Sequence, residues 1–388
     1  MDKKVFYISL STVTFYITIG ASNIALQTLF KDTVSDSLIA LFMVANWLPL
    51  LIASPLWGRI ADKYDREKLL LMTTIVISGL IFFLHSVFTQ YIQAIILRAM
   101  FGLFTAAFLP TATAMLLRGA ASEKTGKKAS IFNLSRSLGF LLSGYIVSAI
   151  LYVLDVLSIF WIGALVLLIS AISLIPISSE RKNIHYDMSN NDSLKRSLLP
   201  GRGFITRNNG HFLVIALALR HANIMSINSI IFVYMMRCGI PDYLTGAISS
   251  FNTLTQIVLM YPLGRLADKI GRKPLFMTGL LLSTIFPLIF LIANNAIMFS
   301  IGFIVIGLSF STLISGATPF FKDIAPEGRE AESLSFLNIS RGVGAIIGPL
   351  ITSVVIATYG YEILFLIISG LTVLATILAA LVKETLRN

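Results

Sequence analysis

Gly58-Arg59-Ile60-Ala61-Asp62-Lys63 returns 206 residues later as Gly264-Arg265-Leu266-Ala267-Asp268-Lys269. A second pair, Asn133-Leu134-Ser135-Arg136 and Asn338-Ile339-Ser340-Arg341, recurs at an offset of 205, as do Gly102 and Gly307, Gly139 and Gly344, and Asn23 and Asn228. Self-similarity at a fixed offset near half the chain length means that one architectural unit is used twice. Whatever fold is read for the first half must therefore serve for the second.

The repeated unit is too apolar for water. Of 388 residues 56% are hydrophobic and 13% charged, against about 25% charged in an ordinary soluble domain. Charge-poor stretches of the roughly 20 residues that cross a hydrocarbon core recur at 5–30, 37–57, 69–87, 91–116, 130–154 and 156–177, then at 212–236, 243–263, 274–293, 296–321, 333–358 and 363–382. The expected fold is an all-α membrane protein with twelve transmembrane helices in two six-helix pseudo-repeats. Residues 1–177 form the N-terminal half and 211–388 the C-terminal half. Between them 178–210, rich in Ser, Asn and charged residues, reads as a flexible cytoplasmic linker.

A net charge of +11 raises the question of nucleic acid, but the placement of the basic residues answers it differently. Of 30 Lys and Arg, four lie within spans and two, Lys31 and Arg237, on one side; the other 24 fall on the termini and even-numbered loops. That is the positive-inside bias, so a multi-pass cell-membrane protein with both termini cytoplasmic is expected, with no nucleic-acid partner. The first apolar stretch is too long for a cleavable leader and runs straight into a second span. One cysteine, Cys238, excludes an intramolecular disulfide and a multi-cysteine metal site. No nucleotide-binding glycine loop, metal-spaced His/Cys cluster or catalytic triad context is present, so neither an enzyme nor a cofactor is expected.

In these repeated motifs the chain resembles the major facilitator superfamily, closest in feel to its drug:proton antiporter branch. The resemblance rests on the loop motif G-x-L-A-D-[RK]-x-G-R-[RK]-x-x-L, matched by Gly264–Phe276 nearly throughout and by Gly58–Leu70 with Asp65 in place of Gly and Glu67 in place of a base. It implies a conformational latch formed by Gly58, Asp62, Arg66, Gly264, Asp268 and Arg272, whose carboxylates would meet helix N-termini; a topology signal with tight turns explains the same residues. Leu97–Gly102 is similar to the family's L-x-R-x-x-x-G. Ser135–Gly144 is a degraded antiporter motif with Phe140 where the family has proline, and Gly344–Pro349 carries small-x-x-x-small spacing. Helix packing through Gly139, Gly144, Gly344, Gly348 and Pro349 accounts for both segments as well as antiport does.

Polar groups inside the membrane must face protein or water. In the first span Thr12, Tyr16, Gly20, Asn23 and Gln27 share one arc at 100° per residue; the seventh carries Arg220, His221, Asn223 and Asn228, and the eighth Asn252 and Gln256. Arg98 and Arg220 lie about 10–12 Å past a span boundary and have Phe303 and Phe15 as their counterparts in the other half. A transport role and an interior anchor both stand for Arg98; substrate or proton handling is expected of Arg220 and His221. Arg136 and Arg341, nearer the cytoplasmic ends, are expected to snorkel in structural roles, and His85 to be interfacial. All 19 Asp and Glu sit in loops or at span ends, so no mid-membrane carboxylate is available to hold an organic cation. The expected function is secondary active transport by alternating access of a small anionic or amphiphilic metabolite, a proton being the candidate coupling ion. A multidrug efflux antiporter is the alternative and a non-transporting receptor or scaffold the remote one. The chain is expected to act as a monomer in the lipid bilayer.

Overall fold

The computed structural model describes residues 3–64, 67–117, 122–177, 210–324 and 330–382. Among them all regular structure is helical: α1 (Lys3–Phe30), α2 (Asp36–Tyr64), α3 (Glu67–Leu84), α4 (Tyr91–Thr105), α5 (Phe108–Leu117), α6 (Ser122–Val153), α7 (Val156–Ile172), α8 (Gly210–Arg237), α9 (Asp242–Ile270), α10 (Arg272–Ile292), α11 (Ala296–Ile324) and α12 (Glu330–Ala380). The expected linker at 178–210 lies outside the described residues, apart from Gly210 at the start of α8.

Helices cover all twelve expected stretches, with two local differences. Span four is broken between α4 and α5 near Ala106, because Pro110 has no N–H to offer the carbonyl four residues back. Spans eleven and twelve run together as α12, bent where Gly360 takes φ 80°, a left-handed value that an L side chain resists. Nine described stretches are long and apolar enough to cross a membrane, the last of them, Phe336–Ala380, holding two spans; Val156–Ile172 is apolar but shorter. Several helices overshoot the apolar windows: α6 starts at Ser122, eight residues before the apolar stretch that marks its span.

Two compact units result. The first holds α1 to α7 together with Ser229–Thr253; the second holds the rest of α8 and α9 with α10 to α12. Within the first, a methyl group on Gly139 of α6 would come within 2.6 Å of the Val13 carbonyl oxygen of α1. Within the second, one on Gly279 of α10 would stand 2.7 Å from Leu313 Cα of α11. In lipid, where no hydrophobic drive pulls helices together, such close approaches supply the van der Waals contact that does. The second unit's core is built from Leu217, Phe276, Leu280, Leu313, Phe320 and Phe336, all buried.

Candidate functional site

In the first unit the polar stripe of α1 is packed more than it is open. Thr12 is buried with its hydroxyl donating to Ile8 O (2.7 Å), and Gly20 lies so close to Ser143 of α6 that no side chain fits. Tyr16 meets the rings of Phe108 and Phe140 at 5.9 and 5.1 Å and carries the Arg136 guanidinium over its face at 5.0 Å. Asn23 and Gln27 are brought together, Gln27 Nε2 donating to Asn23 Oδ1 (3.4 Å). The Gln27 Oε1 accepts from the backbone N–H of Phe232 (3.0 Å) and Val233 (3.4 Å) in α8. A side chain of the first span is thus inserted against the backbone of the seventh.

Arg98 sits apart, among rings. It is 3% exposed, lies 5.8 Å from the Phe101 centroid and has its buried Nε unpartnered. Phe82 joins Phe101 and Phe160 in the same cluster, and His85 stacks on Phe160 at 5.5 Å. His85 is 1% exposed, enclosed by protein just past the end of α3, with its Nδ1 bonded to the Ile81 carbonyl one turn back (2.9 Å).

In the second unit Arg220 and Asn223 converge on Ser283 of α10. Arg220, 1% exposed, donates from Nε to Ser283 Oγ (3.3 Å), lies over Phe310 at 5.7 Å and keeps a buried Nη2 without a partner. Asn223 Nδ2 donates to Ser283 O (3.1 Å), Ile368 O (2.9 Å) and Thr372 Oγ1 (3.3 Å). Asn223 therefore turns toward the ninth and twelfth spans, and Arg220 toward the ninth and tenth. His221 points elsewhere, packed on Gly344 of α12, where even a methyl would overlap its Cβ. Gly348 is equally tight against Ala222 of α8, and Pro349 follows it inside α12. Asn228, Asn252 and Gln256 are half-buried.

Of the expected latch, the side chains of Asp62, Arg66 and Asp268 lie outside the described residues. Gly58 and Gly264 have open space where a Cβ would stand, so crowding does not require glycine there. Arg272 opens α10 behind Gly271, whose φ of 100° does need one. Next to this loop are two residues the sequence reading passed over. Lys68 Nζ donates to Ile175 O and Ile177 O (both 2.6 Å), and Lys273 Nζ to Ala380 O (2.8 Å) and Val382 O. Donors and acceptors all recur at an offset of 205. Aligning the motif at 206 had paired Lys273 with Glu67; a one-residue shift inside the loop was the missing signal.

At the other end of the spans, the two basic residues set apart by the charge count are both engaged. Lys31 pairs with Asp242 (2.7 Å), and Arg237 with Asp36 (3.1 Å) and Asp32 (3.7 Å). Nearby α6 and α9 run almost in backbone contact at Gly144 and Gly246, fastened by Ala247 N–H to Ser148 Oγ (2.8 Å) and Ser250 Oγ to Leu141 O (3.0 Å).

Comparison with known proteins agrees with this architecture. The Multi-drug resistance efflux pump PmrA of Streptococcus pneumoniae serotype 4 is 24% identical over 324 residues, covering 80% of this chain and 77% of that protein. The Multidrug resistance protein MdtG of Escherichia coli O9:H4 is 24% identical over 329 residues, 82% and 78% of the two chains. Among solved structures, the nucleoside transporter NupG superposes with a TM-score of 0.81 over 98% of this chain and 99% of its own, at 16% identity, which speaks to the fold alone. The sequence profile of the Major Facilitator Superfamily matches residues 8–251 and 213–387. The chain belongs to the Major Facilitator Superfamily and is a multi-pass membrane protein that works as a secondary transporter of small solutes.

Proposed function

We propose that the chain exports amphiphilic organic solutes that are neutral or anionic, by alternating access, with both termini and the 178–210 linker on the cytoplasmic side. The observation that carries the substrate class is the charge inside the helices: Arg98 and Arg220 are buried as cations with guanidinium nitrogens unpartnered, and no Asp or Glu lies in mid-span to oppose them. A fixed positive field in a low-dielectric interior repels an organic cation and favours an anion or a neutral molecule. Outward transport of several solutes is supported by the two bacterial relatives, one a multi-drug efflux pump and one a multidrug resistance protein. The orientation is supported by the 24-to-two distribution of basic residues.

Because Arg220 is enclosed by Ser283 and Phe310, its charge acts on a solute through its field, and His221 is the group proposed for proton coupling. The test is uptake into inverted vesicles of three amphiphiles matched in size, one anionic, one neutral and one cationic, with and without a pH gradient. Accumulation of the anionic and neutral compounds is expected. Preferential accumulation of the cation would overturn the substrate class.

A further inference from the structure

Arg136 differs from Arg98 and Arg220 in being reachable. On α6 the leucines Leu134, Leu138 and Leu142 are exposed, and at 100° per residue Arg136 stands on the opposite side of the helix. It is half-buried and stands six residues past the start of its span at 130, about 9 Å along the axis. A charged group at that depth faces protein or water and not hydrocarbon, so its accessible surface opens on water inside the protein. Arg98 and Arg220, at 3% and 1% exposure, have no such surface.

The surroundings suit a ligand with a charged end and an apolar body. The Arg136 guanidinium carbon lies 5.0 Å from the Tyr16 ring centroid, and its Nε is buried without a hydrogen-bond partner. Among the described residues no carboxylate pairs with it. Tyr16 in turn is fixed by Phe108 and Phe140, and by Gly139, whose missing side chain lets α1 approach α6. The arrangement is a cation laid over an aromatic floor, its direction set by the ring beneath it. A planar guanidinium matches an oxyanion in two-point geometry, and the half-buried ring of Phe140 takes apolar surface.

We propose that Arg136, held over Tyr16, is the anion-recognising group of a solute subsite in the first unit: it takes the carboxylate, sulfonate or phosphate of an amphiphilic solute whose apolar body lies against the half-buried Phe140. This rests on the reading of the chain as a carrier of neutral and anionic amphiphiles and adds the residue that tells the two apart. Arg341 holds the equivalent place in the second unit, 205 residues on.

The experiment uses the full chain in nanodiscs of phosphatidylcholine and titrates an arylsulfonate dye and its uncharged sulfonamide counterpart. Arg136→Gln is expected to weaken the sulfonate by about 10- to 100-fold, the range for a lost hydrogen bond to a charged group, and to leave the sulfonamide unchanged. Arg136→Lys should recover part of the loss. Unchanged sulfonamide affinity also reports that the variant is folded. Equal weakening of both compounds, or of neither, overturns the subsite while leaving the carrier reading intact; wild-type protein that binds neither compound overturns both. Repeating the titration with phosphatidylglycerol in the disc separates a solute from a lipid headgroup: competition in the wild type that disappears in Arg136→Gln would assign the site to lipid and overturn the proposal.

Discussion

The two repeats use the same fastenings but not the same charges. Thr18 Oγ1 donates to Gly163 O (3.2 Å), and 205 residues on Asn223 Nδ2 donates to Ile368 O (2.9 Å). Gly139 and Gly344 each admit the neighbouring helix at matching places, against Tyr16 and His221. Yet where the first repeat has Phe15, stacked on Phe108 at 3.8 Å, the second has Arg220 bonded to Ser283. An apolar ring satisfies this position in the fold. Burying a guanidinium there instead costs several kcal/mol of desolvation that only good partners offset. The comparison therefore separates positions kept alike by packing from a position where the second repeat departs from it, the departure that the proposed charge selectivity calls for.

The sharpest way to probe this difference is at Asn223 and Thr18. Asn223 ties α8 to both α10 and α12 through three acceptors, whereas Thr18 makes one such bond. Asn223→Ala is expected to cost about 2 kcal/mol and Thr18→Ala about 0.5–1 kcal/mol, since interhelical hydrogen bonds in membranes are individually modest. Thermal unfolding of the two variants in the same detergent measures it. Equal losses would mean that the knot beneath Arg220 is no tighter than its counterpart.

The repeat, the spans and the sorting of basic residues were all legible in the sequence because each is a property of spacing and composition. Partnering was not. Arg220 and His221 are neighbours in sequence, but a helix turns about 100° per residue, and one reaches Ser283 while the other packs on Gly344. The α1 stripe read as a polar lining from its arc alone, yet Thr12 satisfies itself on its own helix and Gln27 on the α8 backbone. A side chain that finds a partner within the fold leaves the same trace in sequence as one waiting for a solute.

A second test asks whether the shared fastenings are energetically equal. Lys68 and Lys273 bridge from the start of the third and ninth spans to the last carbonyls of the sixth and twelfth, each to two oxygens. Those carbonyls lie at or just past the C-terminal ends of α7 and α12, where a cation also meets the negative end of the dipole. Lys68→Met and Lys273→Met should each lower stability by about 1 kcal/mol. Chemical denaturation of both variants reads it, and losses that differ by more than twofold would show that the duplication is geometric only.

The smallest expected effect concerns a place where the repeats exchange partners. Lys31 and Arg237 are equivalent at an offset of 206, and so are Asp36 and Asp242. Lys31 nevertheless pairs with Asp242, and Arg237 with Asp36, so each repeat's cation is neutralised by the other's carboxylate. At Asp242 partial burial works against the charged form, but the hydrogen bond and charge of Lys31 outweigh it and hold the carboxyl below the usual carboxylate range. A carboxyl depressed in the folded state contributes stability above its unfolded pKa and loses it as the pH falls through the folded value. With 44% of the Asp242 side chain exposed, screening limits Asp242→Asn to a loss of at most about 1 kcal/mol at neutral pH. That loss should shrink with added salt and vanish below the folded pKa of Asp242, where the wild type has lost its own charge. Denaturation curves of wild type and variant between neutral and strongly acid pH test it; a difference that persists undiminished in acid would mean that Asp242 holds its place by packing, and that the exchange of partners between repeats carries no charge-dependent stability.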